Sequence, residues 1–224
     1  MSLRSHVHCF ILLLVSFNVI TAQSFEGTIT YHLAPQNPNP EMLSDEEFKS
    51  SLKEVFGEEG VMVMSYSYKG GSYVSKISAG KEHGYQLYNK EDSLLYSWQE
   101  GSTEAQTLDS RKYMDEFVEI IETDDTEEII GHLCKKITIK SKFGETHVWY
   151  PEGVLSVDPS LYEGHLYGHW VQTIQKTATL PLKTEVKGLM GHFIQTAVEF
   201  QETDVSDELF VLPKFDTVTP NPMN

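Results

Sequence analysis

Three histidines in the C-terminal half of the chain have a spacing close to that of metal ligands. His165 and His169 are four positions apart, a spacing that places two imidazoles on one face of a helix. However, Gly164 and Gly168 disfavour a helix at this point. His192 is not at a fixed ligand distance from the pair, and the sequence has no HExxH pattern. The spacing therefore favours surface or loop histidines over a metal site.

Cys134 is the candidate nucleophile, with His132 two positions before it. On a strand, side chains at i and i+2 share a face but stand too far apart for a nucleophile–base hydrogen bond. A small, partly buried core residue is therefore the favoured interpretation of Cys134. The sequence also lacks a GxSxG elbow and a glycine-rich loop that leads into a helix. We predict no catalytic residue, no metal and no cofactor, and therefore no enzyme.

Aromatic and methionine side chains carry the remaining chemical signal. Methionine adapts its shape and aromatic rings bury large areas, so both line apolar pockets, although both also fill ordinary β-sheet cores. We predict that an apolar ligand would contact Phe48, Leu52, Met62, Met64, Tyr66, Tyr68, Trp98 and Trp149.

The segment 61–68 supports this hypothesis because it is a strand pattern that is apolar on both sides. Its even-numbered residues are two methionines followed by two tyrosines, and Val61 and Val63 begin a second apolar face. Such a strand must be covered on both sides. One cover could be a helix, and the other could be a ligand or another part of the chain.

Residues 129–151 have the clearest hairpin pattern. Apolar and polar residues alternate from Leu133 onward, and residues 142–144 form a short turn in which Gly144 is suited to a positive φ. Pro151 ends the second strand because proline cannot donate to a ladder.

The most regular helical pattern follows Ser44. Ser44 suits the N-cap position and Glu47 completes a capping box. An apolar stripe begins at Phe48 and Leu52 and continues at positions 55 and 56. We expect this stripe to pack on the sheet, and a movable lid over a cavity is the alternative.

The rest of the chain has many short strand patterns separated by turns, notably between residues 61 and 108, which favours an antiparallel meander. A short helix is predicted over 170–177. With no internal repeat and no linker, we predict one β-rich domain over 23–215 and a frayed tail over 216–224.

Residues 1–22 have the features of a signal peptide: Arg4 lies near the start, the apolar run 9–20 is too short to span a bilayer, and Ala22 suits cleavage. We therefore expect a periplasmic or secreted protein without a membrane-spanning segment. The formal net charge of −16 would repel nucleic acid and anionic headgroups, which excludes nucleic acid as a partner.

Four segments together resemble a family of small secreted bacterial proteins related to the LolA/LppX-type periplasmic lipoprotein carriers. They are FEGTITY at 25–31, IGHLCKK at 130–136, HVWYP at 147–151 and LFVLP at 209–213. The resemblance implies an α+β fold with a strongly curved antiparallel sheet, a half-barrel, whose concave face is covered by one to three helices. It also implies that this face can hold acyl chains.

The functional hypothesis that follows is an exported binding protein for a lipid or another apolar ligand on the concave face of the sheet. The alternative is an envelope module that binds another protein and no small ligand. A sheet interior filled by side chains would favour the alternative.

Overall fold

A computed structural model of the protein describes residues 24–188 and 191–222. Within these residues twelve strands form one sheet: β1 Gly27–Pro35, β2 Met62–Lys69, β3 Ser72–Ala79, β4 Glu82–Asn89, β5 Leu94–Gln99, β6 Glu104–Asp109, β7 Phe117–Ile129, β8 His132–Ser141, β9 Gly144–Pro151, β10 Lys183–Gly188, β11 Gly191–Glu202 and β12 Thr217–Pro220. The helices are α1 Asp45–Phe56 and α2 Trp170–Thr177, with short 3-10 helices η1 Pro159–Tyr162, η2 Tyr167–His169 and η3 Asp207–Phe210.

The strand order across the sheet is β12-β6-β5-β4-β3-β2-β1-β11-β10-β9-β8-β7. Two antiparallel meanders, β1 to β6 and β7 to β11, meet where β1 pairs with β11. The β1–β11 ladder has a bulge between Thr30 and Tyr31, and such bulges increase local twist. The result is a large, open, curled sheet. The predicted antiparallel sheet is therefore confirmed, whereas the half-barrel curvature remains a prediction.

The hairpin predicted over 129–151 is confirmed as β8 and β9, which are joined by a two-residue turn. The predicted reason for a glycine at position 144 is wrong, because Gly144 does not have a positive φ. A Cβ at Gly144 would lie 2.0 Å from the carbonyl oxygen of Lys187 on β10. Glycine is required here by the close approach of the next strand rather than by the turn.

One face of the sheet is covered by the cover segment, residues 152–182, which connects β9 to β10 and contains η1, η2 and α2. Backbone hydrogen bonds from Val157 to Ala178 and from Leu180 to Leu155 close this segment on itself. Its buried side chains share one core cluster with strand residues such as Ile29 and Tyr68. The helix predicted over 170–177 is confirmed as α2, which contributes the fully buried Ile174.

Helix α1 begins as predicted, with Ser44 as N-cap and a complete capping box with Glu47. The prediction that its apolar stripe packs into the sheet is wrong. None of its residues is buried, and Val55 is 59% exposed. The end of α1 approaches the sheet, where the carbonyl oxygen of Val55 lies beside Gly80 of the β3–β4 turn. The covering role falls to the cover segment instead.

Two predicted segments at the termini have different outcomes. The predicted signal peptide, residues 1–22, lies outside the described residues. The tail predicted to fray over 216–224 instead contains β12, which pairs in parallel with β6. The pairing begins where the backbone N–H of Asp216 donates to the carbonyl of Thr103. In the part of the chain that the structure describes, no helix has the length and apolarity needed to cross a bilayer.

Candidate functional site

A cavity of about 600 Å³ lies between the sheet and the cover segment. One wall consists of four tyrosines from β1, β2 and β3: Tyr31, Tyr66, Tyr68 and Tyr73. Their rings contact one another with centroids 5.7–5.8 Å apart, and the Tyr66 and Tyr68 rings are stacked. Strand alternation directs Tyr66 and Tyr68 to the same face of β2, which explains why the sequence could place this pair together.

The tyrosine hydroxyls are held in the protonated state by their surroundings. Burial raises the pKa of Tyr31 and Tyr66 above the ordinary value, because an apolar environment disfavours the phenolate. The Tyr31 hydroxyl donates a hydrogen bond to the carbonyl of Pro181 at 2.8 Å, which fixes the end of the cover segment to β1. This wall therefore offers neutral aromatic faces and no negative charge.

The opposite wall comes from β9, β10 and β11. Val148 pairs with Thr184, and Thr184 pairs with Gln195, so that these three residues cross the strands in one row. Val186 and Phe193 form the next row toward solvent. The centre of this wall therefore consists of valine, threonine and glutamine side chains.

The cover segment contributes His165, Tyr167, His169, Trp170 and Thr173 to the cavity. His165 is 1% exposed, its Nε2 lies 2.9 Å from the Tyr73 hydroxyl, and its ring centroid lies 4.2 Å from that of Tyr88. Burial lowers the pKa of His165 to about 3, so the imidazole is neutral at physiological pH. Burial likewise lowers the pKa of His169.

Four polar atoms in this cover have no hydrogen-bond partner among the described residues. Three of them belong to residues that line the cavity, namely Nδ1 of His165, Nδ1 of His169 and Nε1 of Trp170, and the fourth is Oε1 of Gln172, which does not line it. Buried polar atoms without partners are rare in folded proteins because each costs free energy. The grouping of the three lining atoms within six residues marks this corner of the cavity as a place where a bound molecule could supply hydrogen bonds.

The rim of the cavity is more exposed than its interior. Met114 and Val186 are each 39% exposed, whereas Tyr31 and His165 are 1% exposed. The charged lining residues are Asp115, Glu145 and Lys187. Asp115 accepts hydrogen bonds from the backbone N–H of Phe143, which fixes it beside the β8–β9 turn. This side of the cavity is therefore the more exposed to solvent.

Of the eight predicted ligand contacts, the structure brings Tyr66 and Tyr68 to the cavity. Met62 and Met64 share their strand face but lie further along β2, opposite Leu33 and Tyr31. Phe48 and Leu52 lie half-buried on α1, away from the cavity. The apolar stripe of α1 could not predict where the helix packs. The pattern shows which face of the helix is apolar, but it does not show which part of the fold that face contacts.

Trp98 and Trp149 also lie outside the cavity. Trp98 pairs with Tyr85, the neighbour of the lining residue Gln86, and therefore lies on the other face of β4 and β5. Its ring contacts Phe215, with centroids 5.5 Å apart. Trp149 alternates with the lining residue Val148 and is flanked by two lysines, Lys136 at 5.4 Å and Lys183 at 4.5 Å from its ring centroid.

Of the interpretation of His165 and His169 as surface or loop histidines, the loop is confirmed for His165, whereas a surface position is wrong for both, because both side chains are buried within the cover segment. Their partners on β3 and β7 are far away in sequence, so that spacing could not reveal this. The available signal was the run of aromatic residues, glycines and histidines over 162–170. Among the described residues no group of three His, Cys, Asp or Glu side chains could hold a metal ion.

Cys134 is fully buried, and burial raises the pKa of its thiol to about 11. Its Sγ lies 3.5 Å from the carbonyl oxygen of His132, so that the thiol contacts the backbone of that residue. A thiol that stays protonated is a poor nucleophile. Cys134 therefore behaves as a core residue.

No family model and no curated protein matches the sequence. Solved structures that are similar include PNGF-II, with a TM-score of 0.49 and 12% identity. The match covers 89% of this chain and 32% of the PNGF-II chain. Thus this chain spans about a third of the length of PNGF-II. An uncharacterized conserved protein from Thermus thermophilus has a TM-score of 0.49 and 9% identity, and the match covers 88% of this chain and 91% of that chain.

LprF from Mycobacterium bovis is also among the similar structures, at a TM-score of 0.34 and 9% identity, with coverage of 81% of this chain and 88% of that one. At TM-scores under 0.5 these likenesses carry no argument about function.

Proposed function

We propose that this protein binds an apolar ligand in the cavity between its sheet and the cover segment. The observation that carries the proposal is an open volume of about 600 Å³ in contact with four tyrosines, of which three are buried and Tyr66 is partly buried. Ligand pockets typically have about 300–1,000 Å³ and are lined by aromatic and apolar side chains with a few polar groups. The proposal is a binding protein rather than an enzyme.

The architecture of the two walls supports reversible binding. The tyrosine wall is held by ring contacts and by the hydrogen bond from Tyr31 to Pro181. The opposite wall consists of paired strands, so both walls are formed before a ligand arrives. A preformed site loses little conformational entropy on binding, and burial of apolar ligand surface then provides the driving force.

Uptake of N-phenylnaphthylamine, whose fluorescence rises in apolar surroundings, would test the proposal. We expect saturable uptake and displacement by a long-chain alkanol. The substitution Thr184→Phe, in the middle of the wall formed by β9 to β11, should reduce uptake at least about tenfold because the ring occupies the cavity.

Thr196→Phe provides the matched control. Thr196 follows the lining residue Gln195 on β11 and pairs with Lys183 and His32, so its side chain faces away from the cavity. This variant should keep the uptake of the natural sequence. Equal uptake by both variants would contradict the proposed site, and no uptake by the natural sequence would contradict the function.

Export belongs to the proposal and rests on the signal-peptide pattern of residues 1–22 alone. Detection of the protein in a periplasmic or culture-medium fraction, with its N-terminus near residue 23, is the expected result. A cytoplasmic protein that retains Met1 would contradict it. The alternative of an envelope module without a small ligand stays a prediction, and failure of every apolar probe would favour it.

A further inference from the structure

The charges that line the cavity lie on segments at one end of it. Asp115 follows the exposed Met114, Glu145 lies beside the β8–β9 turn, and Lys187 lies at the end of β10. Two carboxylates and one ammonium give this rim a net negative charge. Lys187 is also engaged by Glu185 at 3.1 Å. The other lining residues, including all those of the tyrosine wall and the cover segment, are uncharged aromatic, apolar, amide, hydroxyl or imidazole groups or glycines.

The inner corner formed by His165 and Trp170, by contrast, has hydrogen-bonding atoms and no charged lining residue, whereas His169 lies near enough to Asp115 to be affected by its charge. The indole N–H of Trp170 can only donate, and it has no acceptor in the described part of the chain. The Nδ1 atoms of His165 and His169 are likewise without a partner there, and these two side chains are 1% and 7% exposed. A neutral imidazole can donate or accept at Nδ1, depending on its tautomer.

The rings of His165 and Trp170 lie close together. The centroids of His165 and Trp170 are 5.9 Å apart, and Tyr73 contacts both rings. Tyr73 also fixes the orientation of His165 through the 2.9 Å contact between its hydroxyl and Nε2. A single small polar group that packs against these two rings would therefore lie near two hydrogen-bonding atoms without partners, Nδ1 of His165 and Nε1 of Trp170.

We propose that the ligand carries an uncharged hydrogen-bonding group, such as a carbonyl, at its inner end, and that this group accepts from the indole N–H of Trp170. This inference rests on the proposed function and names the ligand class. A carboxylate in the same corner would be a buried anion without a cationic partner, which costs far more than a neutral dipole. The negative rim would oppose its entry as well.

Three ligands with the same number of carbons test the inference by displacement of N-phenylnaphthylamine at pH 8: methyl heptyl ketone, nonane and nonanoate. With the natural sequence we expect the ketone to bind at least about tenfold more tightly than nonanoate. Tenfold corresponds to about 1.4 kcal/mol. Nonanoate that binds as tightly as the ketone would overturn the inference and leave the proposed function intact, whereas no displacement by any ligand would count against the function itself.

The variant Trp170→Phe removes the N–H and keeps an aromatic ring. It should weaken ketone binding about tenfold and change nonane binding by less than about twofold, because only the ketone loses a hydrogen bond. Equal weakening of both ligands would mean that Trp170 only packs, which overturns the inference. Trp98→Phe, on the other face of the sheet, is the control that should change neither ligand. If Trp170→Phe fails to fold, the comparison of the ketone with nonanoate in the natural sequence still tests whether the ligand carries an uncharged group at its inner end.

Discussion

At the scale of single residues, His165 connects the fold to the site. It is fully buried, it contacts Tyr73 through Nε2, and its ring packs against Tyr88. An imidazole in this environment must give up its proton, because the cationic form would lose hydration without gaining a carboxylate partner. The same burial that makes the residue neutral also separates it from the surface, although it lies in a loop as the sequence pattern allowed.

The burial of His165 predicts a pH-dependent stability. Its pKa is about 3 in the folded protein, compared with the ordinary histidine value of 6.5, which applies to the unfolded chain. The unfolded state therefore binds more protons between these values, so the stabilising contribution is complete above pH 6.5 and is lost as the pH falls toward 3. We expect the free energy of unfolding to fall by about 1–2 kcal/mol between pH 7 and pH 5, measured by chemical denaturation.

His165→Gln should flatten this dependence, because glutamine does not titrate. His83→Gln alters a half-buried histidine in the β3–β4 hairpin and serves as the control, which should keep the slope of the natural sequence. Identical slopes for the natural sequence and His165→Gln would show that His165 is not buried in a neutral form.

Residue-scale prediction succeeded where one strand decided the outcome. Alternation along β2 was enough to place Tyr66 and Tyr68 on one face, and both line the cavity. Alternation alone does not say which face of a strand meets the cover segment, so it could not show that Trp98 and Trp149 lie outside the cavity. Their role as ligand contacts stays a prediction. The positions of His165 and Trp170 in the cover segment could not be predicted either, because both side chains contact Tyr73 on β3, which is distant in sequence.

At the scale of elements, α1 shows that a well-formed helix need not belong to the core. Its capping box is complete, since Glu47 N–H donates to Ser44 Oγ and Ser44 N–H donates to Glu47 Oε2. Its last turn meets the β3–β4 turn, and no residue of the helix is buried. Local signals thus specified where α1 begins, while the tertiary contacts that would hold it are few.

This arrangement predicts that Ser44→Ala loosens α1 locally. Removal of an N-cap costs about 0.5–2 kcal/mol of helix stability. Because α1 contributes little burial, the free energy of global unfolding should change by less than about 0.5 kcal/mol. Amide hydrogen exchange should become faster within residues 45–56 and stay unchanged in β8. A loss of global stability equal to the loss in the helix would show that α1 is part of the cooperative core.

The close approach of β9 and β10 at Gly144 predicts a second element-scale effect. A Cβ there would lie 2.0 Å from the carbonyl oxygen of Lys187 and 2.8 Å from the Cα of Gly188. Gly144→Ala must therefore displace the backbone at the rim of the cavity. We expect a loss of about 2 kcal/mol or more in the free energy of unfolding, measured with urea.

Gly188→Ala is the matched control on the neighbouring strand. A Cβ at Gly188 would have its nearest neighbour, the carbonyl oxygen of Phe143, at 4.0 Å. This substitution should cost less than about 1 kcal/mol. Similar losses for both variants would contradict the close approach as the cause.

Hairpins and helix caps were predictable because residues a few positions apart specify them, as the two-residue Gly70-Gly71 turn between β2 and β3 shows. The pairing of β12 with β6 was not predictable. Residues 217–220 are separated from β6 by more than a hundred residues in the sequence, and their own composition does not indicate which strand they pair with.

At the scale of the whole molecule, the cavity follows from the way the two meanders are joined. The β1–β11 pairing places the tyrosine-rich strands β2 and β3 on one side and the Val148–Thr184–Gln195 row on the other. The cover segment then closes the space between them. No local pattern specifies such an enclosed volume, because it is defined by strand order and by a long connection that runs from 152 to 182.

The central claim is that an apolar ligand occupies this cavity, and the three tryptophans allow a direct test of position. Trp170 lines the cavity, while Trp98 and Trp149 do not. A bromine atom quenches indole fluorescence only at short range. Quenching by a saturating brominated alkyl ketone should therefore depend on which single tryptophan the protein retains.

The measurement compares Trp98→Phe/Trp149→Phe, which retains Trp170, with the two double variants that retain only Trp98 or only Trp149. The account predicts strong quenching in the protein that retains Trp170 and little in the other two. Strong quenching of Trp98 or Trp149, with Trp170 unaffected, would place the ligand outside the cavity and contradict the account.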